Sequence, residues 1–170
     1  MGMNLVLADV QQDALDAAAA ELRAAGAEVL ARKVDVSSAE QMEALAVATR
    51  SQFGAPHFVF NNAGVGAGGL IWENSIRDWE WVLGVNLWGV IHGVRLFTPM
   101  MLAAAEADPA FEGHIVNTSS VNGFWATVGM GVSHTAYSAA KFAVKGFTEA
   151  LITDVKEEAK GPAAPPMPEY

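Results

Sequence analysis

Residues 4–35 read NLVLADVQQDALDAAAAELRAAGAEVLARKVD. The architecture of the whole chain can be read outward from this stretch. Asn4–Ala8 is a short apolar run closed by Asp9, the pattern of a strand covered on both faces. From Gln11 to Ala25, apolar residues recur at helical spacing (Leu15, Ala18, Ala19, Leu22), and Gly26 is a natural helix stop. Glu28–Val34 then returns to a strand pattern.

The alternation continues. Ser37 with Glu40 forms a capping box for a helix running to about Phe53, which Gly54 and Pro56 end. His57–Phe60 is a third strand candidate. After a glycine-rich stretch, Ile76–Ala107 is apolar almost all round, with Trp79, Trp81, Val82, Trp88, Ile91 and Phe97 among its residues. Such a helix is buried on more than one side; one side can face a sheet and the other a partner subunit. His114–Thr118 is a fourth strand, and a last helix is predicted from about Thr135 to Ala159. Short apolar strands alternating with helices indicate a parallel α/β sheet. Residues 1–160 form one domain. Residues 161–170 carry Pro162, Pro165, Pro166 and Pro168, so they cannot form a central strand and are expected to be extended or disordered.

At 170 residues, with 52% hydrophobic and 17% charged, the chain can build a real core and is not of the disordered class. Its net charge of -9 argues against a nucleic-acid partner, which needs clustered Lys and Arg. It contains no cysteine, which removes disulfides, thiolate metal sites and a cysteine nucleophile and fits a cytoplasmic setting. No uninterrupted apolar run of about 18 residues, the length of a membrane span, is read in the sequence, and residues 1–10 lack the pattern of a signal peptide.

The residues able to carry chemistry fall at strand ends and on the last helix. Tyr137 and Lys141 lie one turn apart on one helix face. An ammonium near a phenol favours the phenolate and makes a usable proton donor or acceptor. Alone, this spacing is equally that of an ordinary amphipathic helix. Upstream, Ile115-Val116-Asn117-Thr118-Ser119-Ser120 places hydroxyls at the carboxyl end of a strand, where α/β sheets bind ligands; a serine-rich turn has the same composition. Asn86 sits inside an apolar helix, where asparagine competes for backbone hydrogen bonds; it marks either a site or a local irregularity. Asn61-Asn62-Ala63-Gly64 follows the third strand and lets a flat ligand approach the backbone, or is a plain turn.

Taken in order, NNAG at 61–64, NLWG at 86–89, IVNTSS at 115–120 and YSAAK at 137–141 resemble the short-chain dehydrogenase/reductase family over about residues 3–155. The resemblance implies a Rossmann-like three-layer α/β/α fold and an oxidoreductase that moves a hydride between NAD, or NADP, and a secondary alcohol or ketone. It implies Tyr137 as the acid/base, with Lys141 favouring its phenolate and holding the nicotinamide ribose. Ser120, ahead of its neighbour Ser119, would orient the substrate oxygen, and Asn86 would support a proton-relay water. Asn62, Ala63 and Gly64 would line the cofactor pocket. Asp9 would bind the adenosine ribose hydroxyls and repel a 2′-phosphate, which favours NAD; it also suits a helix cap with Gln12. Asp35-Val36 resembles the adenine-contacting position and equally reads as a helix start.

The loop Val121–His134, with Phe124, Trp125, Val128 and Met130, would wall the substrate site and favour a small hydrophobic alcohol or ketone, or else serve packing. His57, His92, His114 and His134 show no metal-ligand spacing. The family resemblance also implies a homodimer or homotetramer through the helices around 76–107 and 135–159.

The family's opening strand with its glycine-rich phosphate turn is not seen ahead of residue 4, nor its later strands beyond Val155. The sheet is therefore expected to be incomplete, either closed up with strand 4–9 beside strand 57–60 or left open between them. Two activities follow: the family's hydride transfer, or a catalytically impaired module that serves oligomerisation or interaction.

Overall fold

The structure, a computed structural model, describes residues 2–126 and 134–158. Its elements are β1 Leu5–Asp9, α1 Gln12–Ala24, β2 Val29–Lys33, α2 Ala39–Phe53, β3 Phe58–Asn61, α3 Ile76–Leu83, α4 Gly89–Ala107, β4 His114–Asn117 and α5 Thr135–Glu158. A π turn, Gly84–Trp88, joins α3 to α4, and a 3-10 turn, Val121–Gly123, follows β4. The four expected strands are present within a residue or two. Loop residues 127–133, with Val128 and Met130, and the proline tail 161–170 lie outside the described residues.

Among the described residues all pairing is parallel, but the strands form two pairs rather than one sheet. β1 pairs with β2 from Leu5–Val29 to Asp9–Lys33. β3 pairs with β4 from Phe58–His114 to Asn61–Asn117. Strand β1 does not close onto β3. The helices beneath explain this. One apolar cluster joins Met42, Leu45 and Ala46 of α2 to Phe97 and Met101 of α4, with Val34 just after β2, Val59 of β3, and Val6 and Ile115 at its margin. Packed helices sit about 8–10 Å apart, twice the spacing of paired strands. Bringing β1 onto β3 would pull Val6 or Val59 off that cluster.

Side chains alternate across a strand. Since Val6 faces α2 and α4, Leu5 and Leu7 face the other way, where α1 packs on β1 and β2. The first pair is therefore covered on both faces. The second is not: opposite Val59 and Ile115 lie Phe58, Phe60 and Val116, which are 58%, 55% and 41% exposed. The three-layer arrangement holds for β1–β2, and β3–β4 has one layer of helices among the described residues.

Two local expectations are corrected. The capping residue of α2 is Ser38, whose hydroxyl accepts from Gln41 N at 3.3 Å, not Ser37. Ser37 instead donates its N–H and Oγ–H to Asp35 Oδ1 at 2.9 and 2.7 Å. The side chain of Asp9 does not cap α1; it accepts from Gln11 N at 2.8 Å, which turns the chain into the helix. Gly26 ends α1 with φ +89°, a left-handed conformation that favours glycine. Residues 76–107 hold no uninterrupted apolar run of membrane-span length, yet as a helix they are long and apolar enough by composition to cross a membrane. In this fold they supply Val82, Val90, Val94, Phe97 and Met101 to the core.

Candidate active site

The carboxyl ends of parallel strands gather the groups singled out in the sequence. At the end of β3, Asn61 Nδ2 donates to Asn117 Oδ1 (2.9 Å), Asn117 Nδ2 to Thr148 Oγ1 (3.0 Å), and that hydroxyl to Val144 O (2.7 Å). This chain of amides fastens β3 and β4 to α5. The Asn61 carboxamide occupies the space a Cβ on Gly93 would need, so α4 must carry glycine there. Next along, Thr118 N donates to Asn61 O and Thr118 Oγ1 to Asn62 Oδ1, both at 3.0 Å. The strand tips are thus fixed side by side before the loops diverge.

Asn86 is fully buried in the π turn. Its Oδ1 accepts from Val65 N at 3.0 Å and its Nδ2 donates to Val65 O at 2.7 Å. The irregularity and the polar site are therefore one feature: a π turn inserts one residue and re-aims a side chain, a device frequent at functional sites. The asparagine acts as a clamp on the loop that leaves β3. Gly64 closes the same corner, since a Cβ there would lie 2.9 Å from Asn86 Oδ1 and 3.8 Å from Lys141 Nζ.

Lys141 is buried, and its Nζ donates to Thr118 O at 2.8 Å. It lies 5.6 Å from the centroid of the Tyr137 ring. Burial pushes the Lys141 ammonium below its ordinary pKa, because desolvation disfavours the charged form. Tyr137 is half-buried and packs with Val65, Trp79 and Leu83 around Val82, Ala136 and Ala140. That packing orients the helix face carrying the phenol toward the β3 loop.

The two serines at the tip of β4 are used differently. Ser119 Oγ donates to Lys141 O at 3.2 Å, so its hydroxyl is turned into the backbone of α5. Ser120 has extended backbone, and its Oγ accepts from Asn122 N at 3.2 Å. Asn122 Nδ2 in turn donates to Ser138 Oγ at 3.3 Å, beside Tyr137. The Ser120 turn thus sits directly on the first turn of α5.

The two acids lie further along the same edge. Asp9 is exposed at the end of β1. Asp35 follows β2 and spends one oxygen on the Ser37 turn. Val36 packs on α4 at Gly89, where a Cβ would come within 2.7 Å of Val36 Cγ2. Each carboxylate thus keeps an oxygen able to meet a hydroxyl or amine of a ligand. Asn62, Ala63 and Gly64 are exposed after β3. Among the described residues no group of His, Asp and Glu is placed to hold a metal, and the apolar grooves lie elsewhere, between α4 and α5 and beside Pro99. Among the described residues the candidate site is an open edge. Sequence reading missed Val65, Asn117 and Thr148 as its fasteners. Asn117 lay in a quoted motif, but nothing local to Thr148 marks it.

A family profile described as short chain dehydrogenase matches residues 1–159. A Mycobacterium tuberculosis protein bearing the name oxidoreductase SadH is 40% identical over 148 residues, covering 87% of this chain and 50% of that protein. Cyclohexanol dehydrogenase of an Acinetobacter species is 34% identical over 159 residues, 92% of this chain and 59% of its own. A crystal structure of a short chain dehydrogenase/reductase from Burkholderia phymatum in complex with NAD superposes with a TM-score of 0.83 at 50% identity, covering 92% of this chain and 53% of that one. The chain spans about half the length of the relatives it matches. Over nearly all of its own length, the chain belongs to the short-chain dehydrogenase family.

Proposed function

We propose that the protein interconverts a secondary alcohol and a ketone with NAD, using Tyr137 as the proton donor and acceptor. The observation that carries this reading is the buried Lys141, held between Thr118 O and Gly64 with its ammonium 5.6 Å from the Tyr137 ring. Among the described residues no carboxylate pairs with this ammonium, a costly burial, and it can act on the neighbouring phenol.

The residues at the edge fit a nicotinamide dinucleotide at both ends. Asp9 offers a free carboxylate oxygen to the adenosine ribose, and its charge opposes a 2′-phosphate, which favours NAD over NADP. Asp35 and Val36 would border the adenine, while Asn62, Ala63 and Gly64 border the nicotinamide half with Lys141 at its ribose. When bound, the nicotinamide supplies or accepts the hydride. In ketone reduction, the Tyr137 hydroxyl gives its proton to the carbonyl oxygen while Ser120 donates a hydrogen bond to that oxygen. In oxidation, the phenolate takes the proton back. Asn86 acts at one remove, by holding the Gly64–Val65 turn against Lys141.

Phe124 and Trp125, both exposed beside the Ser120 turn, favour a small hydrophobic substrate, in line with the relative named for cyclohexanol. Ile91, Val94, Phe147 and Leu151 line an apolar groove between α4 and α5, and exposed Trp81 and Trp88 extend the α3–α4 surface. These features support a homodimer or homotetramer built on those helices, and the lack of cysteine in the sequence fits a cytoplasmic setting. The test is NADH oxidation with a panel of cyclic and aryl ketones, comparing wild type with Tyr137→Phe. The substitution is expected to abolish turnover with NADH binding retained; equal rates remove Tyr137 from the mechanism. Calorimetry with NAD separates this reading from a non-catalytic module, which would release no heat.

A further inference from the structure

Ser119 and Gly123 flank the proposed substrate-orienting serine, and neither carries a role in the reaction described above. Their surroundings are specific. Ser119 Oγ donates to the main-chain carbonyl of Lys141 at 3.2 Å. Gly123 is buried against that same carbonyl: a Cβ on it would lie 2.8 Å from Lys141 O, 3.2 Å from Lys141 C, and in overlap with Ser119 Oγ. Residue 123 closes the 3-10 turn that begins just after Ser120, through Gly123 N donating to Ser120 O at 2.9 Å. Three backbone groups therefore meet at one point: the start of the Ser120 turn, its end, and the α5 carbonyl one helical turn after Tyr137. Thr118, on the other side, is anchored separately to Asn61 and Asn62.

We propose that Ser119 and Gly123 are positioning residues, which lock the Ser120 turn onto the Lys141 carbonyl and so set the separation between the Ser120 and Tyr137 hydroxyls. The inference rests on the reading of Ser120 and Tyr137 given under the proposed function. Both hydroxyls must reach one substrate oxygen, and a misplacement of about 1 Å can cost about 100-fold in rate. Only glycine permits the approach at 123, and the Ser119 hydroxyl ties the turn to the Lys141 carbonyl, while Asn122 tethers it to Ser138 nearer the start of α5. The Lys141 ammonium is held by Thr118 O and not by the Ser119 hydroxyl, so its own hydrogen bond does not depend on the side chains replaced.

The test uses Ser119→Ala, Ser119→Thr and Gly123→Ala, with two readouts. The first is steady-state kinetics: Ser119→Ala and Gly123→Ala are expected to lower kcat by about 10- to 100-fold with the KM for NADH unchanged, while Ser119→Thr, which keeps the donor, restores kcat. The second is the Ser120 Oγ to Tyr137 Oη separation in crystals of each variant, expected to change in Ser119→Ala and Gly123→Ala and to return in Ser119→Thr. An unchanged separation, or an unchanged kcat in Ser119→Ala, overturns the proposal. A shifted separation in a protein whose wild type never oxidises NADH supports the lock and sinks the proposed reaction instead. Ser119→Ala adds no atom, so the test stands even where Gly123→Ala fails to fold.

Discussion

Replacing Asn86 by alanine removes both arms of the carboxamide clamp on Val65 at once. The wild-type residue accepts from Val65 N at 3.0 Å and donates to Val65 O at 2.7 Å from a fully buried position. A buried partner left without its hydrogen bond costs about 1–3 kcal/mol. Val65 is half-buried, so water can reach part of what is exposed, and each group falls toward the lower end. The two together give about 2–4 kcal/mol, which for a domain of this size lowers the thermal midpoint by about 5–12 °C. Urea and thermal denaturation of Asn86→Ala against wild type measure this directly.

Asn86→Asp sharpens the test. It keeps an acceptor for Val65 N but sets a carboxylate oxygen against Val65 O, so the site favours the protonated acid and raises its pKa above the unfolded value near 4. The folded state then holds the extra proton, and stability must fall as pH rises from the unfolded pKa through the folded one. Asn86→Asp is therefore expected to approach wild type near pH 4 and to be clearly weaker at pH 7. A loss below about 1 kcal/mol in Asn86→Ala, or no pH dependence in Asn86→Asp, would refute the clamp.

Other expectations follow from single contacts. Lys141→Met removes a buried ammonium whose burial disfavours its charged form; it should abolish NADH binding without lowering the denaturation midpoint at pH 7. Because the folded pKa lies below the ordinary 10.5, the burial cost is present at lower pH and is relieved as pH rises through that folded value, so any advantage of Lys141→Met shrinks toward alkaline pH. Gly93→Ala drives a methyl into the Asn61 carboxamide and should cost about 1–3 kcal/mol by urea denaturation. Ser75→Ala breaks the capping box with Asp78 at the start of α3. Those hydrogen bonds hold the Asp78 carboxyl below its ordinary range, so the substitution should destabilise at neutral pH and matter less as Asp78 protonates in acid.

The strands were legible because Asn4–Ala8, Glu28–Val34, His57–Phe60 and His114–Thr118 are short apolar runs bounded by turn residues. Their division into two pairs was not, since pairing depends on helices far along the chain: Met42, Leu45, Phe97 and Met101 set where Val6 and Val59 stand. The cap of α2 slipped by one residue because Ser37 and Ser38 both have a polar partner three positions on, and Asp35 draws Ser37 away. Asn86 was legible as an oddity, but nothing in its neighbourhood names Val65, 21 residues earlier, as its partner. The same holds for Asn117 and Thr148. Local motifs mark which residues carry chemistry; the fasteners that aim them are long-range pairs.

The account depends most on one distance. Two hydroxyls that share a substrate oxygen by hydrogen bonds of about 3 Å must themselves lie within about 6 Å of each other. A crystal structure of the protein soaked with NAD and a cyclic ketone should place Ser120 Oγ and Tyr137 Oη inside that limit, on the side facing Gly64. A longer separation, or hydroxyls directed to opposite sides of the β3–β4 pair, would contradict it.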